Sequence, residues 1–72
     1  MIFRGDLLLN WRTGAGLSQS ASAREVKISQ EYWHALEQGK RDPSLKLLQA
    51  ISEFTGLKKS ILLGETKGEQ RV

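Results

Sequence analysis

No cysteine occurs among the 72 residues, and His34 is the only histidine. This limits what can hold so short a chain together. A domain of this size buries only about 60% of the surface its unfolded chain exposes. Small domains are therefore often reinforced by disulfides or a structural metal. Disulfides are excluded here. A structural zinc needs several thiolate or imidazole ligands, and the sequence does not supply them. Stability must come from tight packing of secondary structure, from association of copies, or from both. Apolar residues make up 39% of the chain, which is enough for a folded core.

Seven glycines, at positions 5, 14, 16, 39, 56, 64 and 68, and the single Pro43 divide the chain into short segments. None of these segments alternates with period two, and several carry apolar residues at spacings of three and four, so the sequence predicts an all-α fold. The first segment runs from about Phe3 to Thr13, with Phe3, Leu7, Leu8 and Trp11 on one face. The second starts at Ser18 as N-cap and reaches about Val26. A capping box at Ser22-Ala23-Arg24-Glu25 offers a later start, but leaves too short a helix. The third has Ser29 as N-cap, runs from Gln30 to Gln38 and stops at Gly39. Trp33, Leu36 and Glu37 share one of its faces; Gln30, Glu31, His34, Ala35 and Gln38 share the other. The fourth runs from the Ser44 cap to Thr55, with Leu45, Leu48, Ile51 and Phe54 as its stripe and Leu47 and Ala50 beside it. Gly56 closes it, and a last short helix spans about Lys59 to Leu63. Residues 1–63 read as one domain and 64–72 as a flexible C-terminal tail.

Eleven basic and eight acidic residues leave a formal charge of +3. That mild excess permits an anionic partner without requiring one. No apolar run, Leu7-Leu8-Leu9 included, exceeds three residues, far too short to cross a bilayer. The first residues lack the layout of an export signal, so a cytoplasmic location is the expectation. Gly14-Ala15-Gly16 lacks the third glycine of a dinucleotide fingerprint, and no P-loop follows it. No cofactor, metal or small-molecule ligand is indicated. A chain this small rarely encloses a catalytic pocket, and an enzyme is not expected.

Segments two and three form the informative pair: two short capped helices joined by Lys27-Ile28, the layout of a helix-turn-helix. Gly16-Leu17-Ser18-Gln19, Ala23, Ile28-Ser29-Gln30, the run from Leu36 through Glu37-Gln38-Gly39-Lys40-Arg41-Asp42-Pro43 to Ser44, Ile51 and Gly56 occur in order without a gap. From about Gly5 to Leu63 the chain resembles the Cro and repressor group of helix-turn-helix proteins, the xenobiotic-response-element-like regulators. The resemblance implies a compact five-helix, lambda-repressor-like domain that binds double-stranded DNA in the cytoplasm of a bacterium, or is encoded by a phage. It implies a transcriptional regulator, expected to be a repressor working as a homodimer on a pseudo-palindromic operator.

The family pattern assigns roles position by position. Gln19 matches the glutamine that typically touches a phosphate and braces the next glutamine. Gln30 matches the first groove-facing position of the recognition helix; Glu31, His34 and Ala35 are the further base-facing candidates. Ser29, Lys40 and Arg41 fall where the chain meets phosphate. Arg12 and Glu37 match a pair that typically bridges the first helix to the recognition helix. The chemistry agrees with these roles: glutamine presents a donor and an acceptor that suit adenine, glutamate accepts from cytosine N4, and an alanine methyl packs on thymine. Free N–H groups at the helix starts near Ser18 and Ser29 suit phosphate. Glu31 reads either as a cytosine contact or as a charge that repels wrong sites. His34 reads equally as a solvated surface residue, and Tyr32 as either a phosphate contact or a lid on the core. Trp11 and Trp33 read as core.

Four positions depart from the family pattern. Ser22 and Trp33 stand where aliphatic residues are usual, and the volume of Trp33 is expected to fill the space Ser22 leaves. Lys27 stands where the turn usually has glycine, and Leu9 where a polar residue is common. The surface after the fourth helix, with Leu57 and Ile61, is the expected dimer interface. Two other readings stay open: an antitoxin or restriction–modification controller of the same fold, and an interaction module that no longer binds DNA.

Overall fold

The computed structural model describes residues 3–64, and the described part of the chain is all-helical. The helices are α1 (Gly5–Gly14), α2 (Gln19–Glu25), α3 (Gln30–Glu37), α4 (Leu45–Thr55) and α5 (Lys59–Leu62). The tail expected over 64–72 lies, from residue 65 onward, outside the described residues.

Three starts are set by serine. The hydroxyl oxygens of Ser18, Ser29 and Ser44 accept hydrogen bonds from the N–H groups of Ala21, Tyr32 and Leu47 at 3.0, 3.1 and 3.1 Å. Each cap satisfies one of the donors a helix start leaves free, and contributes roughly 1 kcal/mol. Helix α1 has no side-chain cap. Its start is tied instead to the far end of the fold, because Arg4 N–H donates to the Leu62 carbonyl at 2.6 Å. The helix begins at Gly5 rather than Phe3; the Phe3 side chain is nevertheless buried.

The core consists of Phe3, Leu8, Ala23, Val26, Trp33, Leu36, Leu47, Leu48, Ile51 and Leu62. Trp11 is half-buried and meets Phe54 edge-on, with ring centres 5.0 Å apart. Leu45 does not join the stripe of α4: it is 82% exposed. The buried arc is centred on Leu47, Leu48 and Ile51. At about 100° per residue, Leu45 lies roughly 120° round the helix from Ile51. A spacing of three from Leu48 was a local match to a stripe whose centre lies elsewhere.

The turn between α2 and α3 carries strain. Lys27 has φ +64° and is the non-glycine residue with a left-handed backbone among those described. The conformation is imposed by its neighbours, since Ile28 N–H must reach the Ala23 carbonyl at 3.0 Å. A side chain in this region costs about 1–2 kcal/mol, and glycine itself loses about 0.5–1 kcal/mol of backbone freedom on folding. Lys27→Gly is therefore expected to raise stability by a net of about 0.5–1 kcal/mol, read as a higher urea midpoint at unchanged slope. A lower midpoint would show that Lys27 is not strained.

Ser22 and Trp33 are both fully buried. The Ser22 hydroxyl oxygen has no hydrogen-bond partner among the described residues. Removing an unpaired buried hydroxyl from a helix recovers its desolvation cost and adds helix propensity. Ser22→Ala should stabilise the domain by about 1 kcal/mol; destabilisation in a thermal melt would mean that the hydroxyl is satisfied.

Candidate nucleic-acid interface

Helices α2 and α3 pack against each other more extensively than any other described pair. Helix α3 buries Trp33, Leu36 and Glu37, and turns Gln30, Glu31, His34 and Gln38 to solvent. Ala35 is half-buried at the edge of that outer face. A shallow depression on the outside is lined by Gln19, Gln30, Glu31 and His34, so one residue of α2 joins three of α3. Beyond the C-cap Gln38 of helix α3, Gly39 at φ +75° lets Lys40 N–H return to the Ala35 carbonyl at 2.9 Å.

Beneath the outer face sits a buried carboxylate. Glu37 Oε2 accepts from Arg12 Nε and from Trp33 Nε1, both at 2.6 Å. Its Oε1 accepts from Gln19 Nε2 at 2.9 Å and from Arg12 Nη2 at 3.2 Å. The glutamate side chain is 1% exposed and that of Arg12 13%. Arg12 also donates to the Leu17 carbonyl at 2.9 Å. One carboxylate thus ties α1, α2 and α3 together with two donors on each oxygen. Burial pushes the Glu37 carboxyl up, but the hydrogen bonds from Arg12, Gln19 and Trp33 and the Arg12 charge outweigh it and hold it below its ordinary value.

A model of the helix-turn-helix domain family matches residues 5–60. The chain belongs to that family. The family is related to the Cro and xenobiotic-response-element type of DNA-binding domain. No curated protein matches the chain, and no solved structure does. In a helix-turn-helix the second helix is the one that enters the major groove, and α3 occupies that place here. No described helix is long and apolar enough to cross a membrane.

The other residues singled out from the sequence are placed around this motif. The Ser29 oxygen is engaged in capping Tyr32 N–H, but a hydroxyl that accepts still has its own hydrogen to donate. Lys40 and Arg41 are exposed beyond the C-terminal end of α3. The Arg41 guanidinium lies over the Tyr32 ring, 4.5 Å from its centre. Tyr32 is half-buried and donates its hydroxyl to the Asp42 carbonyl at 3.3 Å, which fixes the ring beneath that arginine. Leu57 is half-buried against the core, while Ile61 is 48% exposed.

Gln19 departs from the bracing that the resemblance implies. Its amide nitrogen reaches His34 Nδ1 at 3.0 Å as well as Glu37, and not Gln30. Donation to Glu37 takes one amide hydrogen, and the contact with His34 takes the second when Nδ1 carries the ring's lone pair. The Trp33 indole as a fourth donor to Glu37 was missed in the sequence, although the spacing of four on one helix face was a usable signal. The stacking of Arg41 on Tyr32 had no comparable signal, since the loop at Gly39 decides it.

Proposed function

We propose that this helix-turn-helix domain is a sequence-specific double-stranded DNA-binding transcriptional regulator, a repressor acting as a homodimer on a pseudo-palindromic operator. The observation that carries the reading is the outer face of α3, where Gln30, Glu31 and His34 line one shallow depression. The buried Glu37 cluster supports that face from below. A recognition helix must present its polar tips in one register, and an anchored helix does so more precisely than a loop. Gln30 is the adenine reader, Ala35 a thymine-methyl contact, and Glu31 and His34 the remaining base-edge groups. Ser29, Lys40 and Arg41 approach the phosphates, and Gln19 does so through its backbone N–H at the start of α2.

A single module of this kind buries roughly 600–1,000 Å² on DNA, too little for strong selectivity. Pairing of two copies with recognition helices about 34 Å apart supplies the second half-site. The exposed Ile61, with Leu57 beside the core, is the proposed contact between copies.

Selection from a random duplex pool at moderate salt tests the reading and is expected to enrich an inverted repeat. Absence of binding even at low salt would overturn it in favour of a protein-interaction module. On the selected site, Gln30→Ala should cost about 1–3 kcal/mol and relax preference at one base pair. An unchanged preference would contradict the assignment.

A further inference from the structure

His34 stands on the outer face of α3, yet its ring is held from behind. The hydrogen bonds around Glu37 dictate how. Glu37 receives Nε and Nη2 of the Arg12 guanidinium and the Trp33 indole N–H, so it is ionised and can only accept. The Gln19 atom 2.9 Å from Oε1 must then be the amide nitrogen, whichever way an amide is drawn. Its second hydrogen points to His34 Nδ1, 3.0 Å away. An Nδ1–H would set hydrogen against hydrogen, so Nδ1 carries a lone pair and the neutral ring holds its proton on Nε2.

We propose that Gln19, oriented by Glu37, locks His34 in the Nε2–H form and makes it a fixed hydrogen-bond donor that selects an acceptor-bearing base edge, guanine foremost. The inference rests on the DNA-binding reading and adds to it a positioning residue and a base preference. A free imidazole can donate or accept through its outer nitrogen, and would tolerate either kind of edge. A locked donor does not. In the major groove guanine offers two acceptors, N7 and O6; adenine N7 and thymine O4 are single acceptors, and cytosine offers only a donor. Gln19 acts through His34 and touches no base with its side chain.

The free protein, labelled with ¹⁵N-histidine and held at a pH where the ring is neutral, gives the first measurement. The two ring-nitrogen shifts identify the tautomer. Wild type is expected to show Nε2–H alone. Gln19→Met, which keeps the length of the side chain without its donors, is expected to show a mixture once circular dichroism has established that it is folded. Nδ1–H or a mixture in wild type overturns the proposal, and so does an unchanged tautomer in the folded variant. If the variant does not fold, the wild-type spectrum decides alone.

The second measurement uses the duplex recovered by selection, with 7-deazaguanine, which lacks N7, and 2-aminopurine, which lacks O6, placed at each guanine in turn. One substitution is expected to weaken wild type about tenfold, the loss of one net hydrogen bond, and to leave His34→Ala binding unaffected. No such guanine overturns the base preference. Failure of the pool to yield any bound duplex removes the DNA-binding reading and the base preference with it, while the spectrum still decides the lock.

Discussion

Glu37→Ala is expected to cost about 3–5 kcal/mol of folding stability, the range seen when one partner of a buried ion pair is removed. That is a large share of the total for any domain, since whole domains are stable by only about 5–15 kcal/mol. The loss is large because four donor groups from three side chains lose their acceptor together. Arg12 keeps its charge at 13% exposure, and the Trp33 indole N–H and one Gln19 N–H are left in a cavity. Chemical denaturation monitored by circular dichroism is the direct measurement. A midpoint close to wild type would show that the pair is solvated in solution.

The same group sets a pH dependence. The folded carboxyl lies below its ordinary value, and an unfolded glutamate titrates near about 4.3. The unfolded state therefore takes up the proton first as pH falls. The stabilisation is fully present above about pH 5 and is lost as pH drops through 4 toward the lower folded value. Asp6 is also held low by its hydrogen bond from Arg4, but that pair is exposed and contributes little. Subtracting the profile of Glu37→Ala from that of wild type isolates Glu37. Parallel profiles between pH 3 and 6 would contradict the assignment.

Gly5→Ala is expected to be the other severe change. A methyl group at Gly5 would run into the Leu36 carbonyl oxygen and come within 2.8 Å of that of Glu37. Those atoms are backbone in the last turn of α3, directly behind the carboxylate cluster, and cannot rotate away. Overpacking of this kind costs about 1–3 kcal/mol, and the upper end applies where backbone meets backbone. For a domain this small, each kcal/mol moves the melting temperature by about 4–8 °C. A fall of roughly 10–20 °C is therefore expected from these magnitudes. Gly14→Ala is the control: a methyl group there meets nothing within 4 Å, so it should be neutral or mildly stabilising. Equal melting temperatures for the two variants would show that α1 does not approach α3 so closely.

The two variants expose different levels of legibility. Gly5 reads in the sequence only as a breaker near a helix start; nothing local announces that the end of α3 will lie against it. Trp33 reads as core because it is a large apolar residue sharing a helix face with Leu36, and that reading says nothing about its indole N–H. Gln19 reads, from the family pattern, as a phosphate contact that braces the next glutamine. It becomes a two-donor link because residues 15 and 18 positions away arrive within 3.0 Å of it. Leu45 fails in the other direction. Its spacing fits a stripe, but spacing alone does not reveal which arc of a helix its neighbours will cover.

Local chemistry alone decided that this chain is helical, and where three of its helices begin. A serine oxygen, the N–H group it caps and the glycine that ends a helix lie within a few residues of each other. Their energies are therefore written in short stretches such as Ser29 to Gly39. The order of those stretches was enough to identify the family. Packing decided the rest: the exposed Leu45, the close approach at Gly5 and the four donors on Glu37. Arg12 and Glu37 are 25 positions apart and hydrogen-bond only once α1 lies across α3. A contact of that kind depends on the mutual placement of rigid helices, which no window of sequence contains.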